Sequence, residues 1–219
     1  MAEEEITCGF CGKISKHTVV TSTNELGYSD LDLRPPEMMR STINELIQCC
    51  PHCDYCAPYI EDINKEIDVK EIINCEVYKK TLNDDDYPLP ARYYICSAMI
   101  QEGEESLVGA FTAYMHAAWV CDDIQKDELA ITCREKAVRI LEKAKSNGIS
   151  LYENAIQDIC IEVDLLRRMG HSDQAVSLIK ENYENIEDDF ISKVLDFHMV
   201  LIQKNDSECH NIGEIVEKD

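Results

Sequence analysis

Cys49-Cys50-Pro51-His52-Cys53-Asp54-Tyr55-Cys56 repeats, through Cys50 and Cys53, the Cys-x-x-Cys spacing of Cys8-Gly9-Phe10-Cys11-Gly12 near the start of the chain. A turn of this kind aims two thiols at one point and lets nearby backbone N–H groups donate to sulfur. The residue after the second cysteine, Gly12 or Asp54, belongs to the small or turn-prone types that such a tight reversal needs. Two knuckles supply four thiolates, the tetrahedral soft-donor set that suits Zn2+. The expected ligands are therefore Cys8, Cys11, Cys50 and Cys53. The expected role of the zinc is structural, because four thiolates leave no position open for water. Cys53 and Cys56 form another Cys-x-x-Cys pair and Cys49 adjoins Cys50, so either Cys49 or Cys56 is an alternative to one ligand. His17 and His52 are possible substitute ligands but are read first as neighbours of the site or as surface residues. A thioredoxin-like pair would open a helix in a βαβ setting, and no such pattern surrounds either knuckle.

Between Cys11 and Cys50 lie 38 residues. They include a β-prone run from His17 to Thr23 and a loop, Asp30-Leu31-Asp32-Leu33-Arg34-Pro35-Pro36-Glu37, that its two prolines keep extended. Ser41–Cys49 is expected to return to the second knuckle as a strand. This order fits a zinc-ribbon or treble-clef-like domain over residues 1–66.

From about Val69 apolar residues recur at helical spacing. Ile156, Ile159, Cys160, Val163, Leu166 and Met169 form one stripe, and Phe190, Ile191, Val194, Leu195 and His198 another. Breaks fall at Asn83–Asp86 with Pro88 and Pro90, at Glu102-Gly103, at Asn147-Gly148 and at Met169–Asp173, where Ser172 or Asp173 can cap the next helix. About seven helices result, joined by short turns that favour antiparallel neighbours. Ala110, Tyr114 and Ala117 share their spacing with Ala137, Leu141 and Ala144, and Gly170, Ala175 and Ile179 continue the small–large theme. The helical half, residues 67–219, is thus expected to be a tetratricopeptide-like hairpin array, although its alanine spacings of 27 and 38 residues depart from a 34-residue period. The fold class is mainly α.

The formal charge is −22, with −7 over residues 1–62 and −15 over the rest. Such a field repels polyanions, since nucleic-acid affinity rests on Lys and Arg neutralising phosphates, so no direct nucleic-acid partner is expected. No run is apolar enough for a membrane span, and the acidic start Met-Ala-Glu-Glu-Glu lacks the features of a signal peptide. A cytoplasmic protein is expected, whose 12 cysteines are metal ligands or buried thiols and not disulfides. Cys75, Cys96, Cys121, Cys133, Cys160 and Cys209 are read as small core residues.

Cys8-x-x-Cys11-Gly12, Asp30–Pro36, Met39–Thr42, Cys50-Pro51-His52-Cys53 and Ala117–Asp123 together resemble an uncharacterised bacterial family. In that family a pair of CPxCG-like zinc knuckles precedes tetratricopeptide-like helices. The resemblance implies this fold and a zinc site, and it implies no activity. Asp54 departs from the glycine usual at that place, but aspartate tolerates the left-handed backbone region.

The expected function is binding of a protein or peptide, basic or amphipathic, in the helical groove. Asp32, Arg34, Arg40, Tyr114 and His116 are the candidate contacts, and Trp119 is assigned to the core. The alternatives are a thiol/zinc redox sensor, or an enzyme using the Asp30–Arg40 loop with His17, His52, His116 or Tyr114 moving protons. No nucleophile elbow, phosphate loop or His-Glu metal motif occurs, so no catalytic residue is assigned.

Overall fold

The computed structural model describes residues 1–216, more than half of them helical. By its contacts the chain forms two compact units. The first joins Met1–Asn24 to Ser41–Ile140; the second joins Glu25–Arg40 to the segment from Leu141 onward. No helix among the described residues is long and apolar enough to cross a membrane.

The first unit opens with strands β1 (Ala2–Thr7) and β2 (Ile14–Val19), paired antiparallel from Ala2 opposite Val19 to Thr7 opposite Ile14, with the first knuckle as their turn. Ser41–Cys49 does not form the expected strand. A 3-10 turn occupies Arg40–Glu45, and only β3 (Gln48–Cys49) is extended, pairing with β4 (Cys56–Ala57) across the second knuckle. The buried residues explain this: Thr42, Ile43, Ile47 and Gln48 follow no two-residue alternation. The Ile43 carbonyl instead accepts a 2.7 Å hydrogen bond from the buried Tyr94 hydroxyl.

Helices α1 (Val69–Asn74), α2 (Glu76–Leu82), α3 (Leu89–Gly103) and α4 (Leu107–Asp123) follow, and α5 (Asp127–Ser146) runs from this unit into the next. Asp68 caps α1 by accepting from the Glu71 amide at 3.1 Å. Cys75 caps α2 in the same way, its sulfur accepting from the Tyr78 amide at 3.4 Å. This exposed thiol is a helix cap and not the core residue expected. Helix α3 starts beside Pro90, which suits a first helical turn whose N–H groups have no partner. It packs along α4 through fully buried Ala91, Ala98, Ala110, Ala117 and Ala118. Their lack of bulk lets the two backbones approach. Trp119 is buried in this core, as are Cys96, Cys121 and Cys133. Asp122 does not stand free at its helix end: its carboxylate pairs with Arg134 of α5.

The second unit contains α6 (Ala155–Arg168), α7 (Ser172–Asn182), α8 (Asp189–Gln203) and the single turn α9 (Gly213–Val216). Asn154 and Asp188 cap α6 and α8. At α7 the N-cap is His171, with no side-chain capping bond. Ser172 and Asp173 lie inside the first turn, where an acidic side chain favours the positive helix end. The α6 stripe is buried from Ile159 to Met169, whereas Phe190 at the start of α8 is exposed.

Buried charge organises this unit. Arg167 donates to Asp164 at 2.7 Å, to the Asp206 carbonyl at 2.6 Å and to the Glu208 carbonyl at 2.9 Å. His198 is fully buried on α8, and neither ring nitrogen has a hydrogen-bond partner among the described residues; its Nδ1 is 3.8 Å from the Asp164 carboxylate. Burial lowers His198 to about 4; Asp164 opposes that shift, while Arg167 and His210 add to it. Between the ordinary histidine pKa of about 6.5 and 4, the unfolded chain therefore binds a proton that the folded chain does not. The neutral ring's contribution is complete above pH 6.5 and is lost as pH falls toward 4. It amounts to about 3 kcal/mol. Urea titrations followed by circular dichroism should show this loss in the natural chain. His198→Leu should remove that share of the slope, leaving the further acid loss that Asp164, held below its ordinary value, contributes at lower pH.

Candidate metal centre

Each knuckle is closed by the same three backbone features. The Cys8 amide donates to the Lys13 carbonyl at 2.9 Å, as the Cys50 amide does to that of Tyr55 at 2.9 Å. The Gly12 amide donates back to Cys8 at 2.8 Å and the Asp54 amide to Cys50 at 2.9 Å. Gly12 and Asp54, at equivalent places, take φ of 71° and 65°. Aspartate thus adopts the left-handed backbone that the turn requires, and its side chain is used as well: Lys79 Nζ lies 2.7 Å from its carboxylate, and the Tyr78 hydroxyl donates to its carbonyl at 2.7 Å. Gly9 is fixed for a different reason. Its amide donates to the Ile60 carbonyl, and a Cβ there would collide with the Glu61 carbonyl.

These turns bring the sulfurs of Cys8, Cys11, Cys50 and Cys53 within 4.8 Å of one another. Cys8 to Cys53 and Cys11 to Cys50 are each 3.7 Å. A tetrahedron of sulfurs about 2.3 Å from a central ion has edges of about 3.8 Å, so the four thiols can hold a metal ion. Cys8 and Cys50 are buried, and the knuckles rest on a core that includes Tyr55, Cys56, Ile60, Val69, Ile73, Tyr78 and Ile100.

The protons are unevenly held. Burial pushes the Cys11 thiol up, but hydrogen bonds from the Lys13 amide and the other three cysteines outweigh it and bring it below its ordinary value. Burial raises Cys50 and Cys53, against amide donors at His52 and Tyr55. Each of these three sulfurs thus has an amide two residues on directed at it, the N–H···S pattern expected of a knuckle. Four thiols this close cannot all ionise without a cation among them.

The alternative ligands are elsewhere. Cys56 is fully buried and its thiol donates to the Asp54 carbonyl at 3.6 Å; Cys49 stands opposite it on β3. His52 donates from Nε2 to the Ile14 carbonyl at 3.2 Å, and His17 is paired with Ser15 at 2.8 Å.

The other candidate residues are dispersed. Tyr114 is buried on α4, its hydroxyl donating to Glu102 at 2.5 Å, with Lys136 5.6 Å over its ring. His116, partly exposed, lies between the rings of Tyr94 and Trp119. In the second unit, Asp32 and Arg34 are buried. Asp32 pairs with Arg168 at 3.2 Å, and Arg40 with Asp30 at 2.8 Å. The Asp30–Arg40 loop is held by the C-terminal segment: Leu31 donates to His210 and Ile212 to Ser29, both at 2.9 Å. Cys209, exposed and not the core residue expected, donates to Asp30 at 2.9 Å.

The sequence did not mark Gly9, Tyr78 or Lys79 as parts of the site. For Gly9 the signal was its place inside the knuckle; Tyr78 and Lys79 act across more than twenty residues and carry none. Compared with family models, curated proteins and solved structures, the chain matches none of them.

Cys8→Ser and Cys50→Ser should each abolish metal retention, whereas Cys49→Ser and Cys56→Ser should keep it. Metal analysis after gel filtration reads this directly. Equal retention in all four variants would remove Cys8 and Cys50 from the ligand set.

Proposed function

We propose that the chain is a zinc-stabilised interaction protein whose tetratricopeptide-like helices bind a basic, amphipathic peptide or protein segment. One observation carries the reading. In the second unit, Glu142, Glu162, Leu166, Asp173, Leu178 and Glu181 of α5, α6 and α7 line a groove of about 420 Å3. Four carboxylates and two leucines are among its lining residues, with Gln174 and Ser177. A helix with Leu on one face and Lys or Arg flanking it presents the complementary chemistry: apolar contact at the floor, charge at the rim. Lys145, 2.7 Å from Glu162, offsets only one of the four.

The proposed metal is Zn2+, which four thiolates favour and which supplies cross-linking rather than chemistry in a closed sulfur site. Its work is to bind two knuckles 38 residues apart in sequence. A reducing compartment such as the cytoplasm suits 12 free thiols. The overall charge of −22 supports a cationic partner over a nucleic acid.

Fluorescence anisotropy with a labelled synthetic peptide, helix-forming with one Leu face and Lys/Arg flanks, tests the reading. Glu142→Lys combined with Glu181→Lys should weaken binding about 10-fold, on the order of 1.4 kcal/mol. Raising salt should weaken the natural chain more than the variant. Equal binding by both chains at every salt concentration, or none by either, would overturn the groove as the binding surface.

A further inference from the structure

Cys49 and Cys56 face each other directly across the β3–β4 pair. The Cys50 amide donates to the Tyr55 carbonyl at the neighbouring position. By the alternation of an antiparallel ladder, Cys49 and Cys56 then form a non-hydrogen-bonded pair, whose Cα atoms are about 4.5 Å apart with side chains on one face. That separation lies within the range of about 4.4–6.8 Å that a disulfide spans. Cys56 also lies near Cys96 of α3 in the same core. Neither Cys49 nor Cys56 belongs to the four-sulfur cluster.

Access separates the two. Cys49 is partly exposed, and Cys56 is fully buried behind it. Cys121 and Cys133 are also neighbours, but both are fully buried, so no oxidant reaches either. The Cys49–Cys56 pair therefore joins a partly exposed residue to a second cysteine directly opposite it.

We propose that Cys49 and Cys56 are a reversible dithiol–disulfide site, oxidised by peroxide beside the metal centre while the four metal-ligating cysteines stay reduced. The Cys49 sulfur attacks one peroxide oxygen and loses its proton. An S–O bond forms, the O–O bond breaks, and the departing oxygen leaves as water, giving a sulfenic acid. The Cys56 sulfur then attacks the Cys49 sulfur. An S–S bond forms, the S–O bond breaks, and the Cys56 proton leaves with the hydroxyl as a second water. Two thiols are oxidised by two electrons in all, and one hydrogen peroxide is reduced to two waters. A dithiol restores both thiols by exchange. The partner sulfur resolves the sulfenic acid before further oxidation, which a lone thiol cannot do.

The disulfide also acts on the knuckle. Cys56 donates to the carbonyl of Asp54, the residue that closes the second turn. Oxidation removes that donor and ties β3 to β4 next to Cys50.

The test uses the full chain loaded with Zn2+ and treated with one equivalent of hydrogen peroxide. Free thiols are then alkylated, the chain is digested without reductant, and fragments are sequenced by mass spectrometry, with zinc measured in the same sample. The expected result is a peptide about 2 Da lighter, with Cys49 and Cys56 unalkylated and joined. Zinc should be retained, and dithiothreitol should restore both alkylation sites. Cys49→Ala and Cys56→Ala should each lose the mass shift while keeping zinc, which shows that they fold. A bond among Cys8, Cys11, Cys50 and Cys53 with zinc released, a bond from Cys56 to Cys96, or no disulfide at all overturns the proposal. Absence of zinc from untreated protein would instead count against the metal site, and the sequenced cross-link would still decide on Cys49 and Cys56.

Discussion

The left-handed backbone at Gly12 and Asp54 is the constraint on which the first unit depends. Without it the amide after the second cysteine cannot return to the carbonyl of the first, and the two sulfurs of a knuckle do not face one point. Glycine adopts this conformation freely. Aspartate is among the few other residues that tolerate it, and here both its side chain and its carbonyl are used. Asp54 binds Lys79 through its carboxylate and Tyr78 through its carbonyl, so the second knuckle is fastened to α2. The first knuckle is fastened through Gly9 to the Ile60–Glu61 backbone. The four sulfurs are therefore positioned by helices and loops that lie up to about fifty residues away in sequence. A metal ion there would stabilise the hydrophobic contacts of α1–α3 along with the knuckles.

Electrostatics plays the corresponding part in the second unit. Arg167, only 2% exposed, binds one carboxylate and two carbonyls, and it fixes the chain at residues 206–208. From there residues 210–212 pair with the Ser29–Leu31 backbone, and Arg168 reaches Asp32. Removing one member of such a buried pair leaves an uncompensated charge, which costs more than the pair itself contributes. The value of these ions therefore lies in register: they select one seating for a loop that is more than a hundred residues from its partners. The same pairing bears on chemistry. Asp30, Asp32 and Arg40, the residues an enzyme reading would use, each have a counter-charge within the unit.

What the sequence disclosed follows from how local each cause is. The knuckles could be read because spacing alone sets them, and the helix breaks because proline, glycine and asparagine act on their own neighbours. In Ser41–Cys49 only Gln48–Cys49 is extended; the 3-10 turn before it meets the Tyr94 hydroxyl at the Ile43 carbonyl, a contact fifty-one residues apart that local spacing does not announce. Cys75 and Cys209 looked like core residues by type, yet each is exposed and used for a hydrogen bond. The groove was not visible: Glu142, Glu162, Asp173 and Glu181 lie on three helices, and nothing in the order of residues brings them together. A spacing of eight between Asp173 and Glu181, with Ser177 midway, marks one polar stripe at most.

Some carboxylates of this unit are paired, Asp164 with Arg167, Asp32 with Arg168 and Asp30 with Arg40. The groove is lined by four carboxylates and by no lysine or arginine, and Leu166 and Leu178 form part of its wall; Lys145, outside the lining, pairs with Glu162. Like charges gathered at a partly apolar surface raise the energy of the free protein, and a cationic partner relieves it on binding. Arg40, Arg167 and Arg168 are engaged with Asp30, Asp164 and Asp32, away from the groove. The four carboxylates, together with the two leucines beside them, are the basis on which we propose a basic amphipathic partner for this face.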